Sequence, residues 1–129
     1  MDGTCHCGAV HWSFKGTPES ATTCNCSVCR RWGALWAYGF FDEQIKVSGA
    51  TQAYVWNKNW LVFHFCATCA CMIYWRAATK GADGRLYGAV NLRLATDPAA
   101  VQTIPLVHHD TDSKADLPPD GMCVADVWA

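Results

Sequence analysis

Cys24-Asn25-Cys26-Ser27-Val28-Cys29 places three thiols within six residues, in a C-x-C-x-x-C spacing. Two shorter clusters flank it. Cys5-His6-Cys7 lies ahead of it, and Cys66-Ala67-Thr68-Cys69 lies behind it, with Cys71 two residues further on. Cysteines one or two residues apart have the spacing of metal knuckles, where one tight turn delivers two sulfurs to one ion. Cys123 stands apart and reads as a small buried hydrophobe. The chain runs from Met1 to Cys5 with no basic-then-apolar leader. A cytoplasmic setting is therefore expected, where thiols stay reduced and a disulfide framework is disfavoured. Zinc is the expected ligand of the clusters.

Four thiolates drawn from two separate knuckles make a closed structural zinc site that staples distant parts of a chain. Cys5, Cys7, Cys66 and Cys69 suit that role. Cys71 is a rival for Cys69, but C-x-x-C is the commoner knuckle spacing. Cys24, Cys26 and Cys29 are left over. Three protein ligands with one open position are the pattern of a catalytic zinc, which can hold a thiolate or polarise a carbonyl. A fourth protein ligand from Cys71, His64 or His6 would close the site instead. Arg30 and Arg31 stand beside the triplet and are candidates to receive a substrate carboxylate. Trp32 and Trp36 are candidates to wall a pocket.

Outward from the clusters the chain reads as short strands punctuated by turns, which argues for an all-β domain spanning 1–129. Val10, Trp12 and Phe14 alternate with His11 and Ser13 in a half-buried strand. Further strands are expected at Leu35 to Phe41, Ile45 to Val47, Ala53 to Trp56, Trp60 to Phe65, Met72 to Trp75 and Leu86 to Leu92. In the fourth of these, Leu61, Phe63 and Phe65 share one face. Asn57-Lys58-Asn59 is expected as a turn, and Gly3 and Gly8 are expected to free the backbone of the first knuckle. Ser27 is expected to cap a helical turn through Arg30-Arg31-Trp32 that stops at Gly33, aiming N–H groups at the triplet's sulfurs. From about residue 108 the chain turns polar, and a loop-like tail with a solvated His108-His109 pair is expected.

With 51% hydrophobic residues and a net charge of −1, the chain has the composition of a globular protein. Neither a nucleic-acid footprint nor an apolar run near the roughly 18 residues of a membrane span is present in the sequence.

Three blocks in order carry a family resemblance. Gly3-Thr4-Cys5-His6-Cys7-Gly8-Ala9-Val10 resembles the opening of the glutathione-dependent formaldehyde-activating enzyme family, whose animal relatives include the centromere protein V group. Cys24-Asn25-Cys26-Ser27-Val28-Cys29-Arg30-Arg31 with Gly33 resembles its second block, and Phe65-Cys66-Ala67-Thr68-Cys69 its third. Asn91-Leu92-Arg93 is similar to the late strand that follows. The resemblance implies a small β-tent fold with zinc knuckles and two zinc ions per chain. The structural zinc would sit on Cys5, Cys7, Cys66 and Cys69, and the catalytic-type zinc on Cys24, Cys26 and Cys29. It also implies carbon–sulfur lyase chemistry joining formaldehyde and glutathione into S-(hydroxymethyl)glutathione. The alternative is a non-catalytic zinc module with the same fold that binds a partner; thiol redox work by Cys26 and Cys29 is a third reading. The chain departs from the family pattern at Ala70, where glycine is usual, and at Ala115-Asp116 after Lys114, where tryptophan is usual.

Overall fold

Alternation along the strands decides the architecture. The computed structural model describes residues 1–56 and 60–128; the expected turn at Asn57-Lys58-Asn59 lies outside them. Among the described residues, strands β1 (Asp2–Thr4), β2 (His11–Phe14) and β5 (Ile45–Ser48) form a small sheet in the order β1-β2-β5. Strands β3 (Ala21–Cys24), β4 (Trp36–Phe40), β6 (Thr51–Trp56), β7 (Leu61–Cys66), β8 (Met72–Ala77), β9 (Tyr87–Asn91), β10 (Leu106–Asp110) and β11 (Ala115–Asp116) form a large one. Its order is β11-β10-β3-β4-β9-β8-β7-β6. All described pairings between these strands are antiparallel except β3 with β10, which run parallel with Cys24 opposite His109. The protein is mostly β, as the pattern of short strands requires.

Successive residues of a strand fall on opposite faces, and the large sheet uses both. Ala37 and Val90 join one core, where Trp12, Phe14 and Ile45 of the small sheet cover the large sheet together with Leu92, Val101, Ile104 and Leu106. Their neighbours Trp36 and Ala89 join a second core with Phe63, Met72 and Trp75. The first core includes Cys5 and Cys66; the second includes Cys29, with Cys24 and Cys26 packed against it. The cysteine clusters are thus assigned to separate faces of the large sheet.

Several expectations need correction. The tail is not loop-like where it begins: His108 and His109 lie in β10, which hairpins into β11, and a helix α2 (Ala125–Trp128) follows. Strands β1, β3, β10 and β11 were not expected, because Ala21-Thr22-Thr23-Cys24 and Leu106-Val107-His108-His109-Asp110 lack apolar alternation. Gly8 has the positive φ of 79° that a tight knuckle needs. Gly3 is required for another reason: the Trp12 indole lies where any Cβ would sit. Among the described residues, no helix is long and apolar enough to cross a membrane.

Candidate metal centres

Each sulfur is delivered by backbone turns. In the first knuckle, Cys5 N–H donates to the Val10 carbonyl at 3.0 Å, Gly8 N–H donates to the Cys5 carbonyl at 3.0 Å, and Val10 N–H donates to Cys5 Sγ at 3.3 Å. In the second, β7 runs into Cys66, whose Sγ accepts from Thr68 N–H at 3.4 Å and Cys69 N–H at 3.5 Å. The four Sγ atoms of Cys5, Cys7, Cys66 and Cys69 lie within 4.8 Å of one another. Cys5 to Cys7 is 3.6 Å and Cys7 to Cys66 is 3.7 Å. A zinc ion with sulfurs at about 2.3 Å has tetrahedral edges of about 3.8 Å, so this donor set fits the ion. Backbone N–H groups of Cys71 and Cys7 pull the Cys69 thiol down to about 5, and those of Cys69 and Thr68 pull Cys66 below its ordinary range. Such groups favour the thiolates a zinc ion needs.

Cys71 is not in this quartet. It turns the knuckle back, its carbonyl accepting from Cys66 N–H at 2.9 Å, and its side chain packs on the first core. The residue before it, Ala70, has φ 62°, a left-handed conformation that a non-glycine residue adopts at a cost of roughly 1–2 kcal/mol. Glycine also loses more chain entropy on folding, about 0.4–1 kcal/mol. Ala70→Gly is therefore expected to stabilise the zinc-loaded protein by about 0.5–1 kcal/mol, read as a higher denaturation midpoint at unchanged slope. A lower midpoint would show that the turn relaxes in solution.

The triplet begins at Cys24, the last residue of β3, and runs into helix α1 (Cys29–Trp32). The helix stops at Gly33, with φ 61° and its N–H on the Cys29 carbonyl, as expected. Its cap is not Ser27: Val28 occupies that position without a side-chain bond, and the Ser27 carbonyl instead accepts from Arg31 at 2.6 Å. The N–H groups do aim at sulfur, Cys26 N–H at Cys24 Sγ (3.5 Å) and Cys29 N–H at Cys26 Sγ (3.3 Å). The Trp36 indole N–H adds a bond to Cys29 Sγ at 3.4 Å.

The three Sγ atoms also lie within 4.8 Å of one another, and no further His, Cys, Asp or Glu among the described residues joins them. Burial pushes the Cys29 thiol up, the Trp36 bond offsetting only part of that, with Cys26 and Cys24 adding like charge. Cys26 is also pushed up by burial, but the Cys29 and Val28 N–H groups and its thiol neighbours bring it below its ordinary range. Without a cation the cluster splits its protons unevenly, because like charges this close cannot all form. A dication removes that conflict, so the donor set fits a metal with three sulfurs.

The alternatives for a fourth ligand lie elsewhere. His64 stacks on Tyr74 at 4.4 Å and bonds Thr51 through Nδ1 at 2.9 Å, while burial and then Arg76 lower its pKa to about 4. His6 belongs to the first knuckle. What stands before the triplet is a cavity of about 270 Å³. Its apolar walls are Trp36, Tyr38, Trp56, Leu61, Phe63 and Trp75, and His109 and Thr111 complete it. Arg30 and Arg31 do not line it; both are exposed. Trp32 stands behind the wall, 5.0 Å from Phe63 between ring centres. His109 was missed: β10 sets it beside Cys24, and Asp116 holds its Nδ1 at 2.9 Å. Thr111 Oγ1 lies 3.6 Å from Cys24 Sγ.

The profile of glutathione-dependent formaldehyde-activating enzymes matches residues 1–103. The chain belongs to that family. The glutathione-dependent formaldehyde-activating match ends before β10, so His109 and Thr111 lie outside it. The fold is also similar to the crystal structure of a Rhodobacter sphaeroides protein, at a TM-score of 0.61 and 27% identity, covering 82% of this chain and 99% of that one. No curated protein matches the sequence. For a member of this family, Asn91 has a clear structural role. Its Oδ1 accepts from Leu35 N–H and Arg93 N–H, each at 3.2 Å, and its Nδ2 donates to the Met72 carbonyl at 3.0 Å. Arg93 in turn donates to the carbonyls of Gly33, Val127 and Trp128, fixing the end of α1 against α2.

Proposed function

We propose that the protein is a zinc-dependent carbon–sulfur lyase or synthase that joins a small thiol and a small aldehyde, of the kind its family name describes. The observation that carries this reading is a three-thiol cluster without a fourth protein ligand among the described residues, opening on a cavity of about 270 Å³. Cys5, Cys7, Cys66 and Cys69 hold a structural zinc, and Cys24, Cys26 and Cys29 a second. When bound there, zinc stabilises a thiolate at neutral pH and draws charge from a carbonyl oxygen.

The chain's own residues do the rest. Backbone N–H groups of Cys26 and Cys29 and the Trp36 indole orient the ligand sulfurs. The aromatic walls exclude water and hold the two reactants together. In the reaction the thiol loses its proton and its sulfur attacks the carbonyl carbon. The C=O π pair moves to oxygen, which takes up a proton, giving an S-(hydroxyalkyl) adduct; the reverse reaction splits it.

Exchange between formaldehyde and a panel of thiols including glutathione, followed by NMR, tests this. The zinc-loaded protein is expected to exceed the spontaneous rate with at least one thiol. No acceleration with any thiol would overturn the reading, as would X-ray absorption showing four protein ligands on both ions. The second result would favour a zinc module that binds a partner.

A further inference from the structure

The walls of the cavity have a chemistry of their own. Five of them are aromatic and one is Leu61. Among the described lining residues there is no lysine or arginine. Trp75 meets Tyr38 edge to face at 5.9 Å, and Trp36 meets Phe63 at 6.4 Å, so the rings form continuous packed walls. Arg30 and Arg31 follow the triplet in the chain but do not line the cavity, and two acidic groups flank it. Asp116 binds His109, and Asp110 binds Asn25 Nδ2 at 2.7 Å. Arg31 is turned away onto the Ser27 carbonyl. Glutathione carries two carboxylates, and burying a carboxylate without a cation or several donors is costly. A cavity of about 150 Å³ with apolar walls accommodates one benzene ring. One of about 270 Å³ has room for a phenyl-sized body and a short chain that carries sulfur.

We propose that the cavity selects a neutral thiol with an aromatic or branched apolar body over a thiol that carries carboxylates. Trp36, Trp56, Phe63 and Trp75 grip that body while its sulfur meets the Cys24, Cys26 and Cys29 cluster. This rests on the reading of the cluster as a thiol-binding zinc site. The wall formed by His109 and Thr111 lies past residue 103, beyond the segment that matches the family. A family substrate preference therefore need not govern it.

The test is a tryptophan-fluorescence titration of the zinc-loaded protein with benzyl mercaptan, glutathione and sulfur-free benzyl alcohol. Benzyl mercaptan is expected to bind about tenfold or more tightly than glutathione, and more tightly than benzyl alcohol. Trp56→Ala, on an edge strand, is expected to weaken benzyl mercaptan several-fold and leave glutathione unchanged. Leu61→Arg adds a guanidinium to the wall and is expected to strengthen glutathione. Lys58→Ala, which removes the lysine that the sequence carries between Trp56 and Leu61, is expected to leave glutathione binding unchanged. Glutathione binding as tightly as benzyl mercaptan would overturn the proposal while leaving the thiol site standing. So would weaker glutathione binding in Lys58→Ala, or no gain in Leu61→Arg. If neither thiol outbinds benzyl alcohol, the thiol site itself fails, and the proposal with it.

Discussion

Cys66→Ser is expected to prevent the protein from holding its fold. Cys66 is 1% exposed and ends a strand inside the large sheet, where its sulfur accepts two backbone N–H groups. It joins a quartet whose other half, Cys5 and Cys7, lies about sixty residues earlier in the chain. Binding of a structural zinc is worth roughly 10–16 kcal/mol in small zinc domains. The whole stability of a domain is typically about 5–15 kcal/mol. A serine hydroxyl is a poor zinc ligand, and here it would be left among three thiols. Loss of near-ultraviolet circular dichroism and of zinc, counted per chain by mass spectrometry, is the expected result. Cys71→Ser is the informative control. It removes the rival thiol of the same knuckle, and it is expected to keep both the signal and the metal. The reverse outcome, with Cys71→Ser damaging and Cys66→Ser harmless, would reassign the site.

That control also marks how far the sequence could be read. Ligand spacing is a local property: a C-x-C or C-x-x-C turn is built by its own backbone, so the two knuckles and the triplet are legible in the sequence, whereas the meeting of Cys5 and Cys7 with Cys66 and Cys69 depends on distant packing. Ala70 stood out only through the family resemblance, as a departure from the usual glycine; its left-handed φ of 62° comes from the structure. Of the cavity, Trp36 alone stood among the expected wall residues. The walls come from β4, β6, β7, β8 and β10, and only strand register brings Trp36, Trp56, Phe63 and Trp75 to one side. His109 shows the limit most clearly. A polar His-His-Asp run gives no alternation, and its strand exists because β3 offers it a parallel edge. The apolar pair Leu106-Val107 ahead of it was the available signal. Arg30 and Arg31, the candidates to receive a substrate carboxylate, do not line the cavity, because strand register and not proximity in sequence builds its walls. On a four-residue helix they point to solvent while Cys29 points inward.

The second large effect is expected at Cys26→Ser, and its meaning lies in the contrast with Cys66. Cys26 is half-buried, it follows a strand end instead of sitting within one, and its cluster belongs to the second core. Cys29 is the worse choice for the experiment, because it is buried against Trp36 and its loss would disturb packing. If the triplet holds a metal that serves chemistry and not folding, Cys26→Ser should fall from two zinc ions per chain to one. Its circular dichroism should stay native, and its melting temperature should stay within a few degrees, since ΔΔG of about 1 kcal/mol shifts Tm by roughly 2–8 °C in domains of this size range. Carbon–sulfur exchange should drop at least about a hundredfold, which corresponds to ~2.7 kcal/mol of barrier. That is within what a Lewis-acid metal supplies. The two variants therefore separate the sites by opposite signatures: fold lost with the quartet, activity lost with the triplet. Unfolding of Cys26→Ser to the same extent as Cys66→Ser would mean that both metals are staples. Retained exchange in a well-folded Cys26→Ser would mean that the chemistry does not run through the triplet.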